Sequence, residues 1–223
     1  MRDCIMVVGS GMMGSGIGAM SALAGNRTIL VDVDEAHVRS GMEKAMACID
    51  LRVGNGLNTA EEAEEAKKRM ETSIDMLKAA ASARMVIEAV VEQLEVKQAL
   101  FAKLDEVLPV EVPICSNTSG LRITDISGTC KKPERTVTTH FWLPAHLVPL
   151  VEVVMGEKTE RVVAEGVRDE LKKWKKSPVL VQRDLPGQLA NRVFQAIIRE
   201  SVAIVASGLA SAEDVDTAIS CGM

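Results

Sequence analysis

The chain opens on Cys4-Ile-Met-Val-Val-Gly-Ser-Gly-Met-Met-Gly14, a run that few folds accommodate. Ile5 to Val8 offers almost no polar face, so it reads as a strand covered on both sides. The strand breaks at Gly9-Ser-Gly11-Met-Met-Gly14, and small and apolar residues continue to about Leu23, which suits a helix lying close on a sheet. A dinucleotide pyrophosphate needs this order. The first glycine makes the tight turn, the second lets backbone N–H groups approach the phosphates, and the third brings the helix near the strand with its positive end toward the anion. A glycine-rich turn alone would equally suit an empty α/β connection. Here a second apolar strand, Thr28 to Val31, follows and ends on Asp32, 18 residues beyond Gly14. An acid there can accept hydrogen bonds from the adenosine ribose hydroxyls. The expected cofactor site is therefore Gly9, Gly11, Met12, Met13, Gly14 and Asp32.

The 223 residues allow one large domain, or one domain and part of another, and 47% hydrophobic residues are ample for a core. A net charge of −5 and the absence of Tyr argue against a nucleic-acid partner, which would call for a basic face and stacking aromatics. Cys4, Cys48, Cys115, Cys130 and Cys221 form no CxxC pair and suit reduced core residues of a cytoplasmic protein. The first residues run straight into the first strand, leaving no room for a signal peptide, and no uncharged apolar run reaches 18 residues, so no membrane span is expected.

After Asp32 a helix is expected from Glu35 to about Val53, closed by Gly54-Asn-Gly56. A second, solvated helix follows, capped by Thr59 and held by Glu64–Lys68 and Glu65–Arg69 pairs. Together they form a hairpin inserted into the crossover, standing off the sheet where it can wall a cleft. A short segment near Ser73-Ile74 and a helix from Asp75 to Ala81 lead to an apolar strand, Arg84 to Val91. Glu92 begins a turn, and Val96 to Leu108 is an amphipathic helix with Leu100, Leu104 and Val107 on one face. The strand Val112 to Cys115 empties into Ser116-Asn-Thr-Ser-Gly120. Ligands of open α/β sheets gather at strand carboxyl ends, so Glu92 and Ser116–Ser119 belong to the rim of the glycine turn. Ser119 lacks a GxSxG elbow and reads as a ligand, cap or turn residue rather than a nucleophile.

Thr136 to His140 is a β-branched strand ending on a histidine, and Pro149 to Val154 is another with Glu152 inside it. A carboxylate between Val151 and Val153 is out of place in a buried strand unless paired. His140 is the obvious partner: a carboxylate on one ring nitrogen leaves the other free as a base. A histidine at a strand end also serves purely structural ends, and the pattern alone leaves both open. A metal site from His140, His146 and Glu152 is disfavoured because Pro144 and Pro149 break any regular ligand face.

Thr159 is expected to cap a helix whose end, Lys172-Lys-Trp-Lys-Lys176, complements the helix dipole. Val179 to Val181 is a last strand, and Arg183-Asp-Leu-Pro-Gly187 marks a boundary between residues 1–183 and 184–223. The helix Gln188 to Ser207 carries a narrow polar stripe (Arg192, Gln195, Arg199) and requires other helices around it. Ser211 and Asp214 resemble a capping box for one more helix.

Taken together, Gly9-x-Gly11-x-x-Gly14, Glu88-Ala-Val-Val-Glu92, Ser116-Asn-Thr-Ser119, His140-Phe-Trp-x-Pro144, Leu150-Val-Glu152 and Pro186-Gly-x-x-x-Asn-Arg192 resemble the L-3-hydroxyacyl-CoA dehydrogenase family, along the whole chain. Its bacterial members and its lambda-crystallin (gulonate dehydrogenase) branch are the most similar. The resemblance implies an α/β Rossmann domain, a doubly wound and mostly parallel sheet with a helical-hairpin insertion. That domain is followed by the start of an all-helical, dimer-forming substrate domain that in the family continues well past residue 223. It implies NAD as cofactor and a small hydroxyacyl or hydroxy-acid substrate. His140 is then the general base paired with Glu152, Ser119 and Asn191 bind the reacting oxygen, and Asp32, Glu92, Lys97 and Asn117 line the cofactor. A cofactor-binding homologue without turnover is the alternative from another class.

Two departures from the family pattern bear on chemistry. Leu143 stands where the family has Asn in the His-x-x-Asn stretch. Little beyond Arg52 stands where CoA-using members carry a lysine cluster, and exposed contacts of that kind contribute about 0.2–1 kcal/mol each. The lambda-crystallin branch, which uses free hydroxy acids, also lacks that cluster. Asp32 generates a direct test: it repels a 2′-phosphate and loses its hydroxyl partner in NADP. NADH should therefore bind much more tightly than NADPH in a fluorescence titration, with Asp32→Ala narrowing the gap; equal affinities in the parent would refute the assignment.

Overall fold

Eight strands share one sheet in the computed structural model, which describes residues 2–222. In chain order the elements are β1 (Cys4–Val8), α1 (Met12–Leu23), β2 (Arg27–Val31), α2 (Glu35–Gly54), α3 (Ala60–Lys68), β3 (Met70–Ser73) and α4 (Met76–Ala80). Then come β4 (Ala83–Glu88), α5 (Leu94–Val107), β5 (Ile114–Ser116), α6 (Ile123–Ile126), β6 (Thr136–Phe141), β7 (Leu150–Val154), α7 (Arg161–Lys173) and β8 (Ser177–Val181). Two further helices, α8 (Leu189–Ala206) and α9 (Ala212–Gly222), follow. The described residues fall into two compact units, the first ending at Pro186 and the second beginning at Gly187.

The sheet order is β3-β2-β1-β4-β5-β6-β7-β8. Every neighbouring pair is parallel except β6–β7, which is antiparallel. Strand order reverses between β1 and β4, which opens the crevice where such sheets bind ligands. Alternation along β1 shows why both faces are covered: Ile5 and Val7 point into one core with Ile17, Ile49, Leu171 and Trp174. Cys4, Met6 and Val8 point into the other, with Phe101, Leu104 and Ile126. This is the doubly wound, mostly parallel arrangement expected from the sequence.

Several local expectations are corrected. The apolar run expected as a strand to Val91 leaves the sheet after Glu88, because Ala89 N–H turns to Val8 O (2.7 Å) where β1 itself ends. The short segment expected near Ser73-Ile74 is a parallel edge strand, Met70–Ser73. The α2–α3 hairpin does not stand off the sheet: Ala45, Ile49, Ala63 and Ala66 are buried in the core, against α1. Thr59 does cap α3, in a reciprocal capping box with Glu62, and the expected Glu65–Arg69 pair forms at 3.9 Å, but Lys68 pairs with Glu65 rather than Glu64, which takes Lys67. Thr159 caps nothing; its hydroxyl donates to Thr136 O (2.7 Å), and α7 starts two residues later. On α5, Phe101 and Leu104 are buried, while Val107 is exposed.

In the second unit α8 presents Val193, Phe194 and Val202 exposed, and none of its residues is buried. Ser211 caps α9, accepting from Asp214 N–H at 3.1 Å, and its hydroxyl donates to the Asp214 carboxylate at 2.6 Å. No described helix is long and apolar enough to cross a membrane.

On the first unit's outer face, Glu170 of α7 accepts from Arg84 (2.6 Å), Trp174 Nε1 (3.1 Å) and Lys173 (3.1 Å). Burial acts to raise this carboxyl, but these donors outweigh it and pull it from 4.5 to about 2. A depressed folded-state value stabilises the fold fully above about 4.5, and the contribution fades as pH falls toward about 2. Glu170→Gln should cost about 2 kcal/mol in urea denaturation at neutral pH. The gap to the parent should close as pH falls below 4.5; a pH-independent gap would contradict the charge assignment.

Candidate active site

The glycine turn shows what each of its residues is for. Gly9 has a φ of +93°, which disfavours any side chain, and a Cβ there would meet Ala89 O at 2.6 Å. A Cβ on Gly14 would lie 1.8 Å from Gly9 O, so the third glycine lets the helix close on the turn. Gly11 differs, since a Cβ there would meet nothing within 4 Å. Its bareness serves no contact inside the chain and leaves an anion free to approach the first turn of α1, Met12 and Met13. That turn carries no acidic residue and no side-chain cap.

Asp32 ends β2 beside this turn. Its Oδ2 accepts from Ser10 N–H and from the Ser10 hydroxyl, both at 2.7 Å, and its Oδ1 accepts from Val33 N–H at 2.8 Å. Burial acts to raise the carboxyl, yet the Ser10 and Val33 donors hold it below the usual range, so it is ionised. A cavity of about 400 Å³ opens beside it, walled by Val33, Ile74, Met76, Val90, Val96 and Leu100. An apolar slot next to a fixed carboxylate and an unencumbered helix start fits adenine, ribose and pyrophosphate in that order.

The middle of the rim is a chain of charges, Glu88 and Lys97 buried and Glu92 exposed. Glu88, with no exposure, accepts from Lys97 Nζ (2.5 Å), Ser116 Oγ (2.6 Å) and Val90 N–H (2.7 Å). Lys97 is 1% exposed and also reaches Glu92 at 3.2 Å. Glu92 Oε1 accepts from the Thr118 hydroxyl (2.5 Å), Ser119 N–H (3.0 Å) and Gly120 N–H (3.1 Å). Burial acts to raise Glu92, and the Thr118, Gly120 and Lys97 donors keep it below its ordinary value. Lys97 and Glu92, expected to line the cofactor, thus also brace the loop that presents the exposed Ser119. Asn117 Oδ1 accepts from Phe141 N–H at 2.9 Å and ties that loop to the end of β6.

His140 and Glu152 are opposite partners in the antiparallel β6–β7 register. His140 Nδ1 lies 2.6 Å from Glu152 Oε2, with Glu152 fully buried and His140 6% exposed. Trp142 Nε1 donates to the same oxygen at 3.1 Å. With the carboxylate on Nδ1, a neutral ring carries its proton there and leaves Nε2 as the acceptor. Leu143, two residues beyond β6, is 59% exposed. At His146, burial first, then the Arg52 and Lys176 charges, push the pKa down. Among the described residues no group of three metal-ligating side chains occurs. Asn191 lies in the first turn of α8, in the second unit; every other expected site residue lies in the first.

Sequence reasoning assigned no role to Ser10, Glu88 or Trp142. Glu88 carried a usable signal, an acid closing an apolar strand, which is the same anomaly that exposed Glu152. Trp142 carried none, because its contact exists only across the β6–β7 turn.

Comparison with known proteins agrees with this geometry. The family model for the 3-hydroxyacyl-CoA dehydrogenase NAD-binding domain matches residues 4–185. A 3-hydroxyadipyl-CoA dehydrogenase of Escherichia coli K12 is 37% identical over 98% of this chain, which spans about half (46%) of that relative. The mitochondrial hydroxyacyl-coenzyme A dehydrogenase of Homo sapiens is 33% identical over 98% of this chain and 71% of its own length. The crystal structure of (S)-3-hydroxybutyryl-CoA dehydrogenase from Ralstonia eutropha superposes with a TM-score of 0.89 at 28% identity, covering 100% of this chain and 78% of that one. NAD is therefore the cofactor that the glycine turn, Asp32 and the apolar slot fit. By matched domain, fold and sequence, the chain belongs to the 3-hydroxyacyl-CoA dehydrogenase family.

Proposed function

We propose that this protein is an NAD-dependent oxidoreductase that interconverts a 3-hydroxyacyl group, carried as a CoA thioester, and its 3-keto form. The buried 2.6 Å contact between His140 and Glu152 at the rim of the cofactor crevice carries this reading. Bound NAD supplies the acceptor for the hydride that leaves C3. In oxidation His140 Nε2 takes the hydroxyl proton, and in reduction it returns it. Glu152 holds the tautomer through Nδ1 and stabilises the imidazolium, and Trp142 orients that carboxylate. Ser119 and Asn191 donate to the substrate oxygen, where negative charge builds as the carbonyl is reduced. Gly9, Gly11, Met12, Met13, Gly14 and Asp32 hold the cofactor, and Glu92, Lys97 and Asn117 complete its side of the cleft. Residues 1–183 act as the NAD-binding domain, and 184–223 begin a helical substrate and dimerisation domain. The protein works in the cytoplasm on a small molecule, with no nucleic-acid or membrane partner.

The thioester is favoured by the names of the relatives, at 33–37% identity. One observation favours a free hydroxy acid instead: Arg52 is only 9% exposed, its guanidinium committed to Asn58 and His146 O, and so it is not turned toward CoA phosphates. Following NADH absorbance with acetoacetyl-CoA and with 3-ketoacids separates the two.

In the full-length protein His140→Gln should lower kcat by about 10²–10⁴ while NADH affinity persists. Glu152→Gln should cost less, since the base remains. Leu143→Asn should raise kcat rather than cofactor affinity; an unchanged kcat in a brisk parent would mean that Leu143 shapes an apolar substrate pocket. No turnover with tight NADH binding, unaffected by His140→Gln, would establish a non-catalytic NAD-binding protein.

The exposed apolar residues of α8 favour a homodimer. Light scattering should report self-association, and a monodisperse monomer at high concentration would refute it.

A further inference from the structure

The segment 142–149 joins the strand of His140 to that of Glu152 without regular secondary structure. Five of its carbonyls are nonetheless engaged. Pro144 O accepts from Leu147 and Val148 N–H at 3.0 Å, and Pro149 O accepts from Ser177 N–H at 2.8 Å. Three more, those of Ala145, His146 and Val148, are held by two buried cations from distant parts of the chain. Arg52, on α2, donates to His146 O at 2.5 Å. Lys176, in the turn after α7, donates to Val148 O at 2.8 Å and to Ala145 O.

Arg52 is 9% and Lys176 7% exposed. They repel each other, with His146 between them, and Glu62 is the acid acting on Arg52. Burial first, and then Arg52, bring Lys176 down from 10.5 to about 8. Cations buried without a matched carboxylate are a poor means of stabilising a fold, since apolar side chains of the same volume commonly do as well or better. What the two cations do achieve is placement. The loop they hold carries Trp142, whose indole bonds Glu152. The Lys176 ammonium also lies 5.9 Å above the ring of Phe141, the residue after His140.

We propose that Arg52 and Lys176 are positioning residues for the His140–Glu152 pair, clamping the connecting loop by its carbonyls so that base and carboxylate keep their contact. Only the activity readout of this proposal rests on the dehydrogenase reading. A displacement of about 1 Å in a catalytic group can cost up to about 10²-fold in rate. In the full-length protein Lys176→Met and Arg52→Gln should each lower kcat by about ten- to a hundredfold, with NADH affinity within about twofold of the parent.

The second readout needs no turnover. The downfield Nδ1 proton of the His140–Glu152 hydrogen bond, followed by NMR in a chain with only 3 histidines, should shift or vanish in both variants. Lys176→Arg, which restores a donor cation, should recover both signals. Variants that bind NADH normally and keep the parental kcat and proton signal would overturn the clamp. If Lys176→Met does not fold, Arg52→Gln carries the test by itself, and an unchanged proton signal there would likewise overturn it. A parent without hydroxyacyl turnover whose proton signal still responds to both substitutions would sink the dehydrogenase reading and leave the clamp standing.

Discussion

Glu152 is a carboxylate with no solvent exposure in the middle of a valine strand, and the direction of that strand is set against all six before it. Leaving the charge unpaired there would cost several kcal/mol, so the strand is viable only where a donor faces it. The antiparallel register supplies one by placing His140 directly opposite. The single reversal in an otherwise parallel sheet is thus what sets the acid opposite the imidazole near the carboxyl end of β6.

The rest of the rim follows the same logic of charge satisfied by short contacts. Glu88, Lys97 and Glu92 run from the end of β4 to the loop after β5, and Glu92 gathers three donors from residues 118–120. Such a network stabilises little relative to an apolar core, but half of it could not stand without the other half. Its effect is to hold a loop rigidly beside the crevice, which is where a reaction relying on oriented donors needs rigidity. Arg52 and Lys176 extend the pattern to the loop between the paired residues, using backbone carbonyls in place of carboxylates.

Local chemistry made much of this legible. The glycine turn could be read because each glycine answers a steric demand, and the structure bears this out at Gly9 and Gly14, where a Cβ would collide with backbone oxygen. Asp32 was readable from its place after an apolar strand, and Glu152 from its misfit within one. Less legible were the ends and pairings of elements. Val91 continues an apolar run that looks like strand, yet β4 stops at Glu88 because its neighbour β1 stops. Thr159 has the composition of a cap, but a backbone carbonyl of β6 competes for its hydroxyl.

The sequence by itself determined the covered first strand, the turn at an anion-binding helix start, the acid after the second strand and the pairing need of Glu152. All of these are properties of a residue and its near neighbours, where sterics and periodicity act. Only the tertiary structure decided that β7 reverses, that Ser10 supplies the donors to Asp32, that Trp142 shares the Glu152 oxygen and that Arg52 turns inward to a loop 94 residues away. Those outcomes depend on which distant backbone group lies within about 3 Å of a donor, a quantity set by packing of the whole sheet and carried by no local pattern.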